Sequence, residues 1–324
     1  MRLLAGRWTM IFCLGLLLFS CSQGLKRHKQ HFFAMDTMVE VVLYAPSTKA
    51  ANHAMDALAQ EAKRIEQLFG AHVAGSAVWQ INHRTNKQWI QTLPEVVALV
   101  QQALDIGSET KGIFDCTIGP VKWLWGFGAD LTPARPADPL INQALTHVNF
   151  RNVSVRKDTL FFADTAIRID LGGIAKGYAL KKMAEIAKAQ GISSFMINAG
   201  GDIVCGDPKP GNEEWVIGIR HPRNQDSVIA TVRLSNTSIV TSGDYERFFL
   251  DGKTRYHHIF DIATGYPAQG TISATVICKD PIRADAFSTA IFIRNELAGL
   301  VEAAMTVDDT LGVRVFGDFS RYKQ

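Results

Sequence analysis

The 324-residue chain is 47% hydrophobic and carries a net charge of +3, enough apolar material for one large domain or two moderate ones. No long basic block gathers the positive charge, so nucleic-acid binding receives no support from it. The cysteines show no C-x-x-C metal spacing, and buried thiols are the expectation for Cys116, Cys205 and Cys278.

At the N-terminus, Arg2 and Arg7 precede an apolar run from Met10 to Phe19, a signal-peptide layout too short for a comfortable membrane span. The run closes with Leu18-Phe19-Ser20-Cys21, which resembles the lipobox of bacterial lipoproteins. That resemblance implies a signal peptide over residues 1–20 and lipidation of Cys21; an ordinary cleaved signal with an incidental cysteine is the alternative. Residues 21–30 read as a tether, in which Lys26, Arg27 and Lys29 either meet anionic headgroups or stay solvated. Ser22 follows the cysteine where Asp often retains lipoproteins in the inner membrane, so either membrane remains open as the anchor site.

A strand is expected from Thr37 to Tyr44, after Met35-Asp36. A helix follows from Lys49 to Phe69, with Ala54, Leu58, Ala62, Ile65 and Leu68 along one face. Gly70 to Asn86 is polar and turn-rich. A second helix, Pro94 to Thr110, takes proline in its first turn and stops before Gly112. The aromatic, glycine-rich run from Gly112 to Gly128 has neither helical nor strand period, and reads as a shaped surface or as a loop packed over the core. Pro133, Pro136 and Pro139 mark a surface excursion before a short helix, Leu140 to Leu145.

Strand patterns at Val153–Arg156, Thr159–Phe162 and Ala166–Ile169 lead into Asp170-Leu-Gly-Gly-Ile-Ala-Lys-Gly-Tyr178. A glycine pair turns the chain there, and a helix runs from near Ile174 to Gly191. Carboxylate, bare glycine backbone, helix-start amides and Lys176 meet in this turn, a setting suited to an anionic ligand; tight β-α packing is the other reading. Strands then dominate: Phe195–Asn198, Trp215–Ile219, Val228–Leu234, Ser238–Thr241 and Thr271–Cys278, with a last one at Gly312–Phe316. A helix carries Ala284 to Thr289. Helix pairs mixed with runs of strands favour α+β over a doubly wound parallel sheet. No composition break marks a domain boundary, so residues 31–324 read as one domain.

Asp285 and Thr289 lie four apart on that helix and share a face. Their hard oxygens suit Mg²⁺ better than zinc, and the Gly172-Gly173 turn offers a backbone carbonyl. The plainer alternative is a surface carboxylate beside a threonine bonding its own helix. His257 and His258 sit near a strand end; adjacent strand residues face opposite ways, so at most one belongs to a site. His258 is the candidate for proton transfer or charge stabilisation, and His257 reads as structural or surface-exposed. No G-x-S-x-G elbow supports a Ser-His-Asp hydrolase.

Several motifs, in order, resemble those of the ApbE family, the FAD:protein FMN transferases of the bacterial cell envelope. They are Met35-Asp36-Thr37, Gly112 to Pro120, Trp125-Gly-Phe-Gly128, Asp170 to Tyr178, Asn198 to Asp202, Thr241 to Tyr245, His258-Ile259 with Gly265-Tyr-Pro267, and Asp285 to Thr289. The resemblance spans almost all of the mature chain. It implies an α+β fold of mixed and antiparallel sheets packed with helices, T-fold-like in architecture. It further implies a Mg²⁺-dependent enzyme, with Asp285 and His258 as catalytic candidates. Such an enzyme cleaves FAD, attaches FMN by a phosphoester to a Thr or Ser of a membrane-associated flavoprotein, and releases AMP. Position by position, it assigns metal ligation to Asp285, Thr289 and the Gly173 carbonyl. It assigns flavin contacts to Met35, Ile113, Phe114, Asp115, Asp170, Lys176 and Ile259. Asp36 stands where many members carry glycine, and Gly173 varies among members. A Mg²⁺-dependent FAD pyrophosphatase and a non-catalytic FAD-binding lipoprotein are the competing functions. The expected location is the cell envelope, lipid-anchored and facing the periplasm.

Overall fold

The computed structural model describes residues 24–128 and 132–323; the expected signal peptide, residues 1–20, and Cys21 lie outside them. The first half runs β1 (Lys26–Ala34), β2 (Thr37–Ala45), α1 (Thr48–Phe69), α2 (Ala77–Asn82), β3 (Ile90–Gln91), α3 (Pro94–Glu109), α4 (Gly119–Leu124), α5 (Asp138–Leu145), β4 (Val153–Arg156) and β5 (Thr159–Phe162). It continues with α6 (Ala175–Ala189), β6 (Phe195–Ala199), β7 (Asp202–Cys205), β8 (Trp215–His221), β9 (Asn224–Leu234) and β10 (Thr237–Gly243). The last part holds β11 (Phe248–Asp251), β12 (Thr254–His257), β13 (Phe260–Asp261), β14 (Tyr266–Pro267), β15 (Thr271–Cys278), α7 (Pro281–Ile293), β16 (Ala303–Asp308), β17 (Val313–Gly317) and α8 (Phe319–Tyr322).

An eight-stranded sheet in the order β1-β2-β6-β7-β10-β15-β16-β17 organises the molecule. Every neighbouring pair in it is antiparallel, so the expected α+β class holds. Side chains alternate across a strand, and that alternation sorts the sheet's residues into two cores. Val41, Leu43, Val240 and Val276 pack under α1, α6 and α7. Val42, Ile239 and Ile277 pack under the β8–β9 hairpin and Phe319. Strand β15 sits inside both layers and is buried at all eight positions. Its buried positions include Thr271, Ser273 and Thr275 beside the apolar Ile272, Ala274, Val276 and Ile277.

Two sequence expectations change. Residues 26–30, expected as tether, form most of β1, which pairs along its whole length with β2. Residues 166–169, expected as a strand, make a single bridge, Ile118 to Arg168. The missing strand partner is replaced by one side chain: Asn82 at the end of α2 donates to the Ile169 carbonyl and accepts from its N–H, each at 2.8 Å. Asn82 is 1% exposed, so Asn82→Ala orphans a buried donor and acceptor. The expected cost is about 2–3 kcal/mol, read as a lower urea midpoint at unchanged m-value.

Cys116, Cys205 and Cys278 are free and buried, as the sequence predicts.

Candidate active site

The Asp170–Tyr178 stretch crosses under α7. Gly177 is the point of closest approach, since a Cβ there would fall 2.2 Å from the Pro281 carbonyl oxygen and 2.8 Å from the Asp285 Cβ. The contact lets the Gly177 N–H, unpaired within its own helix turn, donate to Asp285 Oδ2 at 2.8 Å. Gly173 lies beside Phe114 and Thr289, with its notional Cβ 3.3 Å and 3.4 Å from their side chains. Asp285, Thr289 and Gly173 are thus brought together, as expected.

These residues line a cavity of about 730 Å³, within the usual range for small-molecule sites. Met35, Ile113, Phe114, Asp115, Asp170, Lys176, His258 and Ile259 line it too. Asp115 serves the architecture of the wall, because its carboxylate accepts from the Thr117 N–H and hydroxyl and from the Phe150 N–H. It holds the Ile113–Phe114 loop in place, and its side chain is not free for a ligand.

The floor is a charge cluster. Lys176 is ion-paired with Asp202, whose Oδ1 accepts from the Thr241 N–H and which is 1% exposed. Burial opposes the Lys176 charge, but Asp202 and Asp285 outweigh it and raise its pKa. Burial and then the Asp202 charge push the Asp285 carboxyl up to about 7, against the opposing pull of Lys176. A carboxylate so short of positive charge suits a cation. Ser242 Oγ lies 2.7 Å from Ser288 Oγ and 3.3 Å from Thr289 Oγ1, adding hydroxyls beside it. Among the described residues no group of three His, Cys, Asp or Glu side chains forms a metal cluster. The donor set is one carboxylate, hydroxyls and a turn carbonyl, which fits Mg²⁺ completing its shell with water and phosphate oxygens.

Higher on the wall, Asp170 accepts from Lys122 Nζ at 2.7 Å and from the Gly172 N–H at 2.9 Å. Burial opposes the Asp170 charge, but Lys122 and the amide win and hold its carboxyl below the ordinary value. Lys122→Met leaves this buried carboxylate without its cation, at an expected cost of about 3–5 kcal/mol. The wild-type pair's contribution is full above the unfolded pKa near 4 and lost as pH falls through the folded value. Urea titrations at pH 7 and pH 3 should therefore show a large gap between variant and wild type at pH 7 that narrows at pH 3.

The two histidines part as expected. His257 is buried, with Nε2 2.9 Å from the Ala268 carbonyl and its ring edge on Phe292. His258 lines the cavity, and its Nδ1 lies 3.2 Å from the Arg247 carbonyl. That contact assigns the proton to Nδ1 and leaves Nε2 with a lone pair. Burial, then the Lys122 charge, push the His258 pKa down to about 3, so the ring is neutral at physiological pH.

At the mouth, Met35 and Asp36 form the two-residue β1–β2 turn with φ of 55° and 57°, the type I′ pattern that favours glycine. Asp36 accepts from Arg247 at 3.2 Å and lies 3.7 Å from His72, so its side chain ties the turn to the opposite rim. Lys122, Asp202 and Ser242 escaped assignment from sequence. Asp202 had a signal, a second Gly-Gly-Asp, whereas nothing local pairs Lys122 with a residue 48 positions away.

The antiparallel sheet and its helices hold a floor in which the partly exposed Lys176 ammonium meets the buried Asp202 and Asp285 carboxylates beside hydroxyls, a setting suited to an anionic ligand. The ApbE family model matches residues 35–309. A Klebsiella pneumoniae protein named FAD:protein FMN transferase is 32% identical over 71% of this chain and 72% of its own. One of the same name from Treponema pallidum is 29% identical over 83% and 79%. The crystal structure of the ApbE protein from Thermotoga maritima superposes with a TM-score of 0.86 at 32% identity, covering 92% of this chain and all of that one. The flavin transferase ApbE from Vibrio cholerae shares the fold with a TM-score of 0.81 at 24% identity. The chain belongs to the ApbE family.

Proposed function

We propose that this protein is a Mg²⁺-dependent FAD:protein FMN transferase, joining FMN through a phosphoester to a Thr or Ser hydroxyl of a flavoprotein and releasing AMP. The observation that carries the reading is the cluster of Lys176, Asp202 and Asp285 beside Thr289 and Gly173 on the cavity floor. Asp285, Thr289 and the Gly173 carbonyl would hold the metal, which when bound supplies charge neutralisation on the diphosphate. Lys176, kept protonated by its two carboxylates, donates to diphosphate oxygens and stabilises charge as the bridging P–O bond breaks. Phe114 and Met35 offer apolar surface to a flat ring. His258 Nε2 accepts the proton of the attacking hydroxyl, while the Nδ1 contact fixes the tautomer. The new bond joins hydroxyl oxygen to the flavin-side phosphorus, and AMP leaves with the old bridging oxygen.

Lipidation at Cys21 on the periplasmic side would confine the enzyme near membrane-bound acceptors and raise their effective concentration. The test incubates the detergent-solubilised full chain with FAD, an acceptor flavoprotein domain, and MgCl₂ or EDTA. Mass spectrometry should show one FMN added to the acceptor with Mg²⁺ alone, with AMP in equal amount. Free FMN and AMP without labelling would replace transfer by pyrophosphatase chemistry, and intact bound FAD would leave a binding protein.

A further inference from the structure

Lys122, Lys176 and Arg247 are the lysines and arginines that line the cavity among the described residues. Two of them are committed to nearly buried carboxylates, Lys122 to Asp170 and Lys176 to Asp202. Arg247 is not. Its guanidinium pairs with Asp36 at 3.2 Å, and the two side chains are 50% and 46% exposed. Exposed ion pairs of this kind contribute little to stability, so a stronger anion displaces them readily.

The strand register carries this cation to the proposed base. Phe248 pairs with His257 across the β11–β12 hairpin. One step further, Arg247 stands opposite His258, whose N–H donates to the Arg247 carbonyl at 3.1 Å. Residues directly opposite on an antiparallel pair project to the same face, their Cβ atoms about 5 Å apart. Burial apart, Lys122 is the largest charge acting on both His258 and Asp170, and Arg247 is the next.

We infer that Arg247 is a further catalytic residue: its guanidinium exchanges the Asp36 carboxylate for non-bridging oxygens of the flavin-side phosphate and stabilises the charge that builds there as the hydroxyl attacks. The inference rests on the FMN-transfer reading. Phosphate outcompetes Asp36 because a guanidinium holds its oxygens through two parallel N–H donors. Arg247 keeps its protons throughout, and the hydroxyl proton passes to His258. The two cross-strand neighbours thus act as charge clamp and base, and Asp36 holds the clamp at the mouth between turnovers.

Detergent-solubilised full chain carrying Arg247→Ala, Arg247→Lys or Asp36→Asn is assayed for FMN transfer over ranges of FAD and acceptor concentration. Arg247→Ala is expected to lower kcat at least about 10²-fold, with the KM for FAD within about threefold of wild type. Arg247→Lys keeps the charge without the fork and should recover part of the loss. Guanidinium chloride at non-denaturing concentration should restore part of kcat to Arg247→Ala, which a merely structural role would not allow. Asp36→Asn, tolerated at positive φ, should keep kcat at least at the wild-type level. Wild-type kcat in Arg247→Ala would overturn the inference. So would a loss confined to the KM for FAD, which would make Arg247 a binding contact only. A defect in Asp36→Asn equal to that of Arg247→Ala would assign the effect to the rim pair itself and overturn it too. If the wild-type chain releases AMP but labels no acceptor, the transfer reading alone falls, because the same comparison is then made on AMP release; FAD left intact would overturn both.

Discussion

Asp285→Ala is expected to lower FMN transfer by at least about 10²–10³-fold while leaving FAD binding measurable by flavin fluorescence. The substitution removes the proposed metal ligand and also strips the Gly177 N–H of its acceptor, so a second variant is needed. Asp285→Asn keeps a carbonyl oxygen for Gly177 and removes the charge. It should fold as wild type and be equally inactive; substantial Mg²⁺-dependent transfer by Asp285→Asn would show that the carboxylate does not hold the metal. The same residue gives a pH signature in the metal-free protein. Its carboxyl is pushed up to about 7, by burial first and by Asp202 second, against about 4 in the unfolded chain. The folded state therefore binds the proton more tightly in that window, and stability falls as pH rises from about 4 to about 7. Urea midpoints in EDTA at pH 5 and pH 8 should drop more for wild type than for Asp285→Asn.

Gly177→Ala is expected to destabilise the protein by about 3 kcal/mol, although helix propensity alone favours alanine by about 1 kcal/mol. Sterics win because the new methyl meets backbone, the Pro281 carbonyl at 2.2 Å, and no side-chain rotation relieves that. α6 and α7 must separate, and Asp285 moves with α7. Denaturant unfolding should show the lower midpoint, and the transfer rate should fall even where the variant is fully folded. A variant more stable than wild type would mean that the two helices do not meet as closely as described.

Much of the frame was legible because the signals are local. The apolar face of α1 was read from 3.6-residue spacing, and all five of its quoted positions are buried. Proline in the first turn located α3. Asp285 and Thr289 were paired by helical spacing alone, and the glycine turn was read as the place where a helix start meets a carboxylate. The carboxylate that meets it, however, is Asp285 from a helix 108 residues further on, as well as Asp170 from the turn itself.

The sequence by itself determined the family's motifs, the principal helices and central strands, and the oxygen-rich face of α7, because periodicity and turn chemistry act over a few residues. Tertiary structure decided what those faces meet. Asn82 stands in as a strand partner 87 residues away, and Lys122 settles the charge of Asp170. Lys26 to Gln30 join a sheet edge because β2 presents unpaired backbone there. Asp115 is taken up by its own loop, and Asp202 closes the floor under Lys176. Each depends on which surfaces are buried together, and a period along the chain reports the orientation of a face without naming its partner.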